Sequence, residues 1–158
     1  MEQRDDIFSF EDLEVYVAAR NLVKDLYILQ RSFPKEEQYA LCDQIRRAAI
    51  SITANLAEGS GRTSLKEKVH FIEISFGSMT EVFCELQIAC DLGYITKKQF
   101  DELRPQFSDV AKMLSGLRNR FTSRMKEPAT LTRSRQAKSS VTRHGEADRP
   151  EQGEGKNL

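Results

Sequence analysis

The sequence lacks the features that mark exported, membrane-spanning and strongly charged proteins. No apolar run approaches the ~20 residues that a transmembrane helix needs, and the acidic amino terminus has no basic start followed by an apolar stretch. With 24 Lys plus Arg against 24 Asp plus Glu, the formal net charge is zero, so no overall field attracts nucleic acid or a membrane surface. We therefore expect no membrane contact, and any binding of polyanions has to be local.

Cysteine and histidine are too scarce for a disulfide framework or a metal centre. The three cysteines, an odd number, all lie within helical patterns: Cys42, Cys84 and Cys90. This favours buried thiols in a reducing cytoplasm. Glu67 and His70 have the spacing of half a di-iron site, but such a site needs two copies, and the only other histidine is His144. We predict no metal and no cofactor.

Motifs for catalysis are also missing. The glycines of residues 59–61 follow a predicted helix rather than a strand, so they do not form a phosphate-binding loop. The cysteines lack a histidine partner and a reason for a depressed pKa. Glu81 and Glu85 lie one helical turn apart, which is more typical of an exposed face than of acid–base chemistry. We expect no enzymatic activity.

Apolar residues recur at helical spacing in four segments of the chain. The predicted helices cover about residues 10–31, 34–58, 65–92 and 97–124. Because the connections are short, each helix has to pack antiparallel to the one before it. The predicted fold is all-α, an antiparallel up-down-up-down four-helix bundle over residues 1–125. A polar segment, residues 126–158, is predicted to be a disordered C-terminal tail, because it has too few large apolar residues to offset the entropy of ordering.

Start and stop signals place the helix ends. Ser9 can cap the first helix, Pro34 suits the first position of the second, and capping boxes begin at Ser64 and Thr96. Gly59 suits a left-handed cap at the end of the second helix. In the fourth helix a proline at position 105 predicts a kink or a break one residue earlier.

The second and third helices carry more apolar residues than one bundle can bury. Ile50 and Ala54 lie with Arg47 almost opposite the core stripe of the second helix, and Phe71 and Val82 help to widen the stripe of the third to roughly 160°. Such an excess usually indicates a second contact, although isolated exposed apolar residues are common. We predict a homo-oligomer whose interface includes these five residues.

A set of polar residues accompanies this apolar excess. Its members are Gln44, Ser51, Asn55, Glu58, Gly59 and Ser78. A buried amide needs partners, so Asn55 is expected to link neighbouring backbones or Ser78. Glu58 stands at a helix carboxyl end, where Arg62, Arg46 or Arg47 is expected to compensate its charge. We interpret the set as structural, fixing helix register, rather than as ligand-binding.

These motifs resemble a known family. The matching stretches are residues 33–41 (FPKEEQYAL), 44–62 (QIRRAAISITANLAEGSGR), 71–81 (FIEISFGSMTE) and 92–95 (LGYI). They resemble bacterial four-helix-bundle proteins first noted as reading frames within intervening sequences of large-subunit ribosomal RNA genes. The resemblance implies a homopentameric ring without known catalytic activity. More distantly, the chain is similar to accessory proteins of diversity-generating retroelements, which bind a partner protein and nucleic acid.

Two functions remain open at this point. The first is a non-enzymatic, self-assembling scaffold for a protein or RNA partner. The second is an accessory factor that contacts RNA or DNA phosphates through cations near the turn between the second and third helices. The candidate cations are Arg46, Arg47, Arg62, Lys66 and Lys68.

Overall fold

A computed structural model of the chain describes residues 9–127, and it confirms the predicted fold. Four antiparallel α-helices form the bundle: α1 (Glu14–Leu29), α2 (Leu41–Ser60), α3 (Leu65–Asp91) and α4 (Lys97–Lys126). Within residues 9–127 there is no β-strand. No helix in this part of the chain is long and apolar enough to cross a membrane. Almost all of the predicted C-terminal tail lies outside the described residues.

Two helices begin later than predicted, because a 3-10 turn precedes each. Residues Ser9–Asp12 form the first turn, and Leu13 is extended before α1. Before α2, Lys35–Tyr39 are in a 3-10 helix, and Ala40 leaves helical geometry with φ −117° and ψ −103°. The prediction that the second helix starts at Pro34 is therefore wrong.

Glu37 explains where α2 begins. Its Oε2 oxygen accepts a hydrogen bond from the Leu41 N–H at 3.3 Å, which supplies a partner to an otherwise unpaired donor at the helix start. Its other oxygen accepts from the Tyr94 hydroxyl at 2.9 Å. This contact joins the turn before α2 to the loop after α3, and the same hydrogen bond raises the pKa of the Tyr94 hydroxyl.

Of the predicted capping features at the ends of α3 and α4, some are confirmed and one is wrong. Thr96 and Gln99 form a complete capping box, since each side chain accepts from the other residue's N–H, at 2.9 and 3.1 Å. Ser64 stands at the start of α3 but makes no capping hydrogen bond through its side chain. Gly93, with φ +76°, provides the left-handed residue after α3.

Helix α4 runs unbroken through Pro105, so a break near Arg104 is also wrong. Both residues are exposed. On either side of them, Leu103 and Phe107 are buried, so their packing holds the helix together across the missing N–H.

The core is built from all four helices. Its largest fully buried side chains include Leu22, Leu26, Ile45, Ile52, Leu86 and Leu114. Burial of each such side chain contributes about 1.5–3 kcal/mol. Aromatic rings join α3 to α4: the Phe83 ring is tilted against that of Phe100, with centroids 5.2 Å apart, and packs edge-on with that of Phe107 at 5.3 Å. Of the three thiols only Cys42 is buried, whereas Cys84 is exposed, so the prediction of three buried thiols is wrong.

Helices α2 and α3 approach each other more closely than any other pair. Several of the buried or half-buried residues along this contact are small: Ala48, Ser51, Gly59, Ser75, Ser78 and Ala89. Because such side chains keep the helix axes close, the backbones themselves come near contact. This pair carries the candidate site.

Candidate functional site

A chain of hydroxyl and amide groups joins α2 to α3. The Ser78 hydroxyl donates to the Ser51 hydroxyl at 2.8 Å, and the Ser75 hydroxyl donates to the Ile52 carbonyl at 2.8 Å. Asn55 donates within its own helix, to the carbonyl and hydroxyl oxygens of Ser51 at 2.7 and 2.9 Å. The prediction that Asn55 links to Ser78 or to a neighbouring backbone is therefore wrong. The link to Ser78 is made by Ser51. These bonds fix the register of the two helices.

The same pair ends in a tight contact at Gly59. This glycine is buried within α2 and is not the predicted left-handed cap, because the helix continues to Ser60. A Cβ at this position would lie 2.8 Å from the Cβ of Phe71, which no ordinary packing allows. The cation expected beside Glu58 is Arg62, whose guanidinium also covers the Phe71 ring at 4.8 Å.

Part of the surface that α2 and α3 present to solvent is apolar. On α2 it consists of Arg47, Ile50 and Ala54, all exposed, with Arg47 paired to Asp43 at 2.8 Å. On α3 and at its C-terminal cap, residues at helical spacing continue it: Ile74, Glu81, Glu85, Ile88 and Leu92. We call these eight residues the α2–α3 outer face.

Four large apolar side chains on this face are substantially exposed. The exposed fractions are 49% for Ile50, 38% for Ile74, 45% for Ile88 and 55% for Leu92. Only Ile50 was predicted from sequence. Ile74, Ile88 and Leu92 follow one another at intervals of 14 and 4 residues, a helical period that is present in the sequence.

Two of the predicted interface residues are covered within the chain. Val82 is fully buried, as is Ala89 seven residues later in the same helix. Close packing of α2 against α3 accounts for this burial. Val82 is therefore wrong as an interface residue, and Phe71 is half-buried beneath Arg62.

The outer face contains one perturbed carboxyl group. Burial, and then the negative charge of Glu81, raise the pKa of Glu85 to about 7. Its Oε2 oxygen is out of contact with solvent and has no hydrogen-bond partner within residues 9–127. Among the ion pairs formed within the described residues, none includes Glu85, so no cation compensates the negative charge of this group.

The candidate nucleic-acid cations do not form one patch. Arg46 and Arg47 lie in the first half of α2, about 20 Å along the helix from Arg62 and from the first turn of α3, which carries Lys66 and Lys68. The Gln38 side-chain oxygen, in the amide orientation that satisfies both groups, accepts from Arg46 at 2.7 and 3.1 Å.

Most of the other candidate cations already form an ion pair or a hydrogen bond within the chain. Arg47 and Arg62 pair with carboxylates, and Lys68 donates to the Ser60 carbonyl at 2.8 Å. Lys66 is exposed and has no partner within residues 9–127. The prediction of a cationic cluster around the turn is wrong in its geometry.

Glu67 and His70 have the spacing of half a di-iron site and lie in the first turns of α3. Across residues 9–127, no three His, Cys, Asp or Glu side chains converge on a common point. His70 is exposed, and its ring centroid lies 5.7 Å from that of Phe71.

Comparison with known proteins places the chain. The family model of the 23S rRNA-intervening sequence proteins matches residues 11–116. The chain belongs to this family. The match includes α1, α2, α3 and most of α4, and thus the whole of the outer face.

Structural comparison shows the same fold for this intervening sequence protein. It is similar to a crystal structure, at 1.70 Å resolution, of a protein of unknown function from the S23 ribosomal protein family of Bacteroides thetaiotaomicron. The TM-score is 0.61 at 19% sequence identity, and the match covers 66% of this chain and 97% of that one. Among curated proteins none matches the chain.

Proposed function

We propose that this intervening sequence protein is a non-enzymatic scaffold of the cytoplasm that self-associates through the α2–α3 outer face. The observation that carries the proposal is the exposure of Ile50, Ile74, Ile88 and Leu92 on one pair of helices. Large apolar side chains gathered on one surface are typical of protein contacts. The surrounding charges of Arg47, Glu81 and Glu85 would give such a contact its specificity.

The energetics favour a buried face. Each of these four side chains, if its remaining exposed area were covered, would contribute about 1 kcal/mol. The hydroxyl bonds between α2 and α3 hold the two rows of residues at a fixed spacing. A rigid surface loses little side-chain and backbone freedom on association. More of the free energy gained by burying these side chains therefore contributes to affinity.

The expected assembly is the homopentameric ring implied by the family resemblance. In a ring, one patch of each subunit contacts a different patch of its neighbour. The outer face offers two adjoining patches, one on each helix. An assembled ring would present the remaining surface of the bundle, in several copies, to a protein or RNA partner.

Sedimentation equilibrium of matched variants tests the proposal. Ile88→Asp places a charge on the outer face, and Val17→Asp places the same charge on α1, at a residue that is equally exposed, 45% in both cases. We expect Ile88→Asp to weaken association at least tenfold, a loss of ~1.4 kcal/mol, and Val17→Asp to leave it unchanged. Equal effects of the two substitutions would contradict the proposal.

Nucleic-acid binding is an outcome that the same preparations can report. Binding of structured RNA or duplex DNA through phosphates would weaken steeply as salt rises. Such binding by Ile88→Asp monomers, unaffected by loss of assembly, would support the accessory-factor function instead.

A further inference from the structure

A cavity lies at the end of the bundle where the 3-10 turn before α1 meets α2, α3 and α4. Its volume is about 170 Å³. Six apolar side chains make up most of its wall: Phe10, Leu13, Leu56, Ile72, Leu117 and Phe121. Gly59 and Ser60 complete the wall.

The size of the cavity limits what fits. An engineered apolar cavity of about 150 Å³ holds one benzene molecule and stays dry otherwise. A space of about 170 Å³ therefore suits a single ring or a short branched alkyl group better than two fused rings. Two of the six apolar side chains in its wall are phenylalanines, Phe10 and Phe121, which favour stacking with an aromatic ligand.

One charged group belongs to the wall of the cavity. Lys68 is half-buried, and its Nζ lies 6.0 Å from the centroid of the Phe121 ring. It donates one hydrogen bond, to the Ser60 carbonyl at 2.8 Å, and an ammonium group has two further donors. None of the ion pairs formed within residues 9–127 includes Lys68. A half-buried cation without a carboxylate partner favours an anion beside it.

We propose that this cavity binds a small monocarboxylate with a single-ring or short branched apolar body. The apolar body occupies the space between Phe10, Leu117 and Phe121, and the carboxylate accepts hydrogen bonds from Lys68. This combination of an apolar pocket with one placed charged group is typical of small-molecule sites. The site is separate from the outer face and does not depend on assembly.

Titration calorimetry of the full chain with phenylacetate tests the proposal. The neutral analogue 2-phenylethanol has the same ring without the charge. We expect phenylacetate to bind about tenfold or more tightly than the alcohol, the factor that one charge-assisted hydrogen bond provides. Lys68→Met should remove this difference and leave binding of the alcohol unchanged. Lys66→Met, an exposed cation outside the cavity wall, is the matched control and should preserve it.

A second variant tests the cavity itself. Leu117→Phe fills the space with three additional carbon atoms and should weaken both ligands, while 1-naphthoate should bind the unmodified chain less tightly than phenylacetate. Absence of phenylacetate binding at millimolar concentration would overturn the proposal. So would equal affinity of the unmodified chain for acid and alcohol, a comparison that needs no variant to fold.

Discussion

Substitution of Gly59 by alanine tests how tightly α2 and α3 are packed. Within an ordinary helix the change from glycine to alanine stabilises by about 0.5–1 kcal/mol, because it lowers the entropy of the unfolded chain. Here the new methyl group would lie 2.8 Å from the Cβ of Phe71, which belongs to the opposing helix and cannot rotate away. The helices would have to separate by several tenths of an ångström, and such overpacking costs about 1–3 kcal/mol. We expect Gly59→Ala to lower the free energy of unfolding by about 1–2 kcal/mol.

The chain offers a matched control for this experiment. Gly77 lies within α3, and a Cβ there would have no neighbour within 4 Å. Gly77→Ala should therefore stabilise the protein by about 0.5–1 kcal/mol. Urea denaturation followed by far-ultraviolet circular dichroism measures both changes. If Gly59→Ala proved as stabilising as Gly77→Ala, the close approach of α2 and α3 would be refuted.

Two further predictions concern individual groups. The pKa of Glu85 is raised from its ordinary 4.5 to about 7 in the folded chain. Between these two pH values the folded state binds more protons than the unfolded state. The free energy of unfolding therefore falls as pH rises through about 7. Glu85→Gln should remove this pH dependence and stabilise the fold at pH 8 by about 1 kcal/mol, after allowance for solvent screening of a half-exposed group. If the urea midpoints of the unmodified chain and of Glu85→Gln changed in parallel from pH 5 to 8, the prediction would be contradicted. Thr96→Ala removes the capping hydroxyl at the start of α4 and should cost about 1 kcal/mol in the same assay, with Thr63→Ala, in the loop before α3, nearly neutral. Equal stability of the two threonine variants would contradict the capping role.

Features set by neighbouring residues could be predicted from the sequence. The 3.6-residue period of apolar side chains indicates four helices and their antiparallel order. The capping box of Thr96 and Gln99 needs only two residues three positions apart, and the structure contains it as predicted. Short-range patterns therefore determine much of the fold.

Features that depend on residues distant in the sequence could not be predicted from it. The start of α2 depends on Glu37, which is tied to Tyr94 on another part of the chain. Helical periodicity gives the direction of Val82 but not the depth to which it is buried. That depth follows from the small side chains that let α2 and α3 come together, such as Ser75 and Ala89.

The candidate site shows the same division. Exposure of Ile50 was predictable because it lies opposite a clear core stripe. Ile74 and Ile88 were not predicted, because the width of the α3 core stripe indicates the residues beside that stripe and not those on the outward side of the helix. The separation of Arg47 from Arg62 could have been found from the sequence alone, by applying the rise of about 1.5 Å per residue to a continuous helix.

Native mass spectrometry of the full chain tests the central claim of self-association most directly. One chain has a mass of 18.1 kDa, so a homopentamer would be detected at about 90 kDa. We expect this species to dominate at micromolar concentration for the unmodified chain and for Val17→Asp, and to be depleted for Ile88→Asp. A spectrum of the unmodified chain that contained only the 18.1 kDa species would contradict the account.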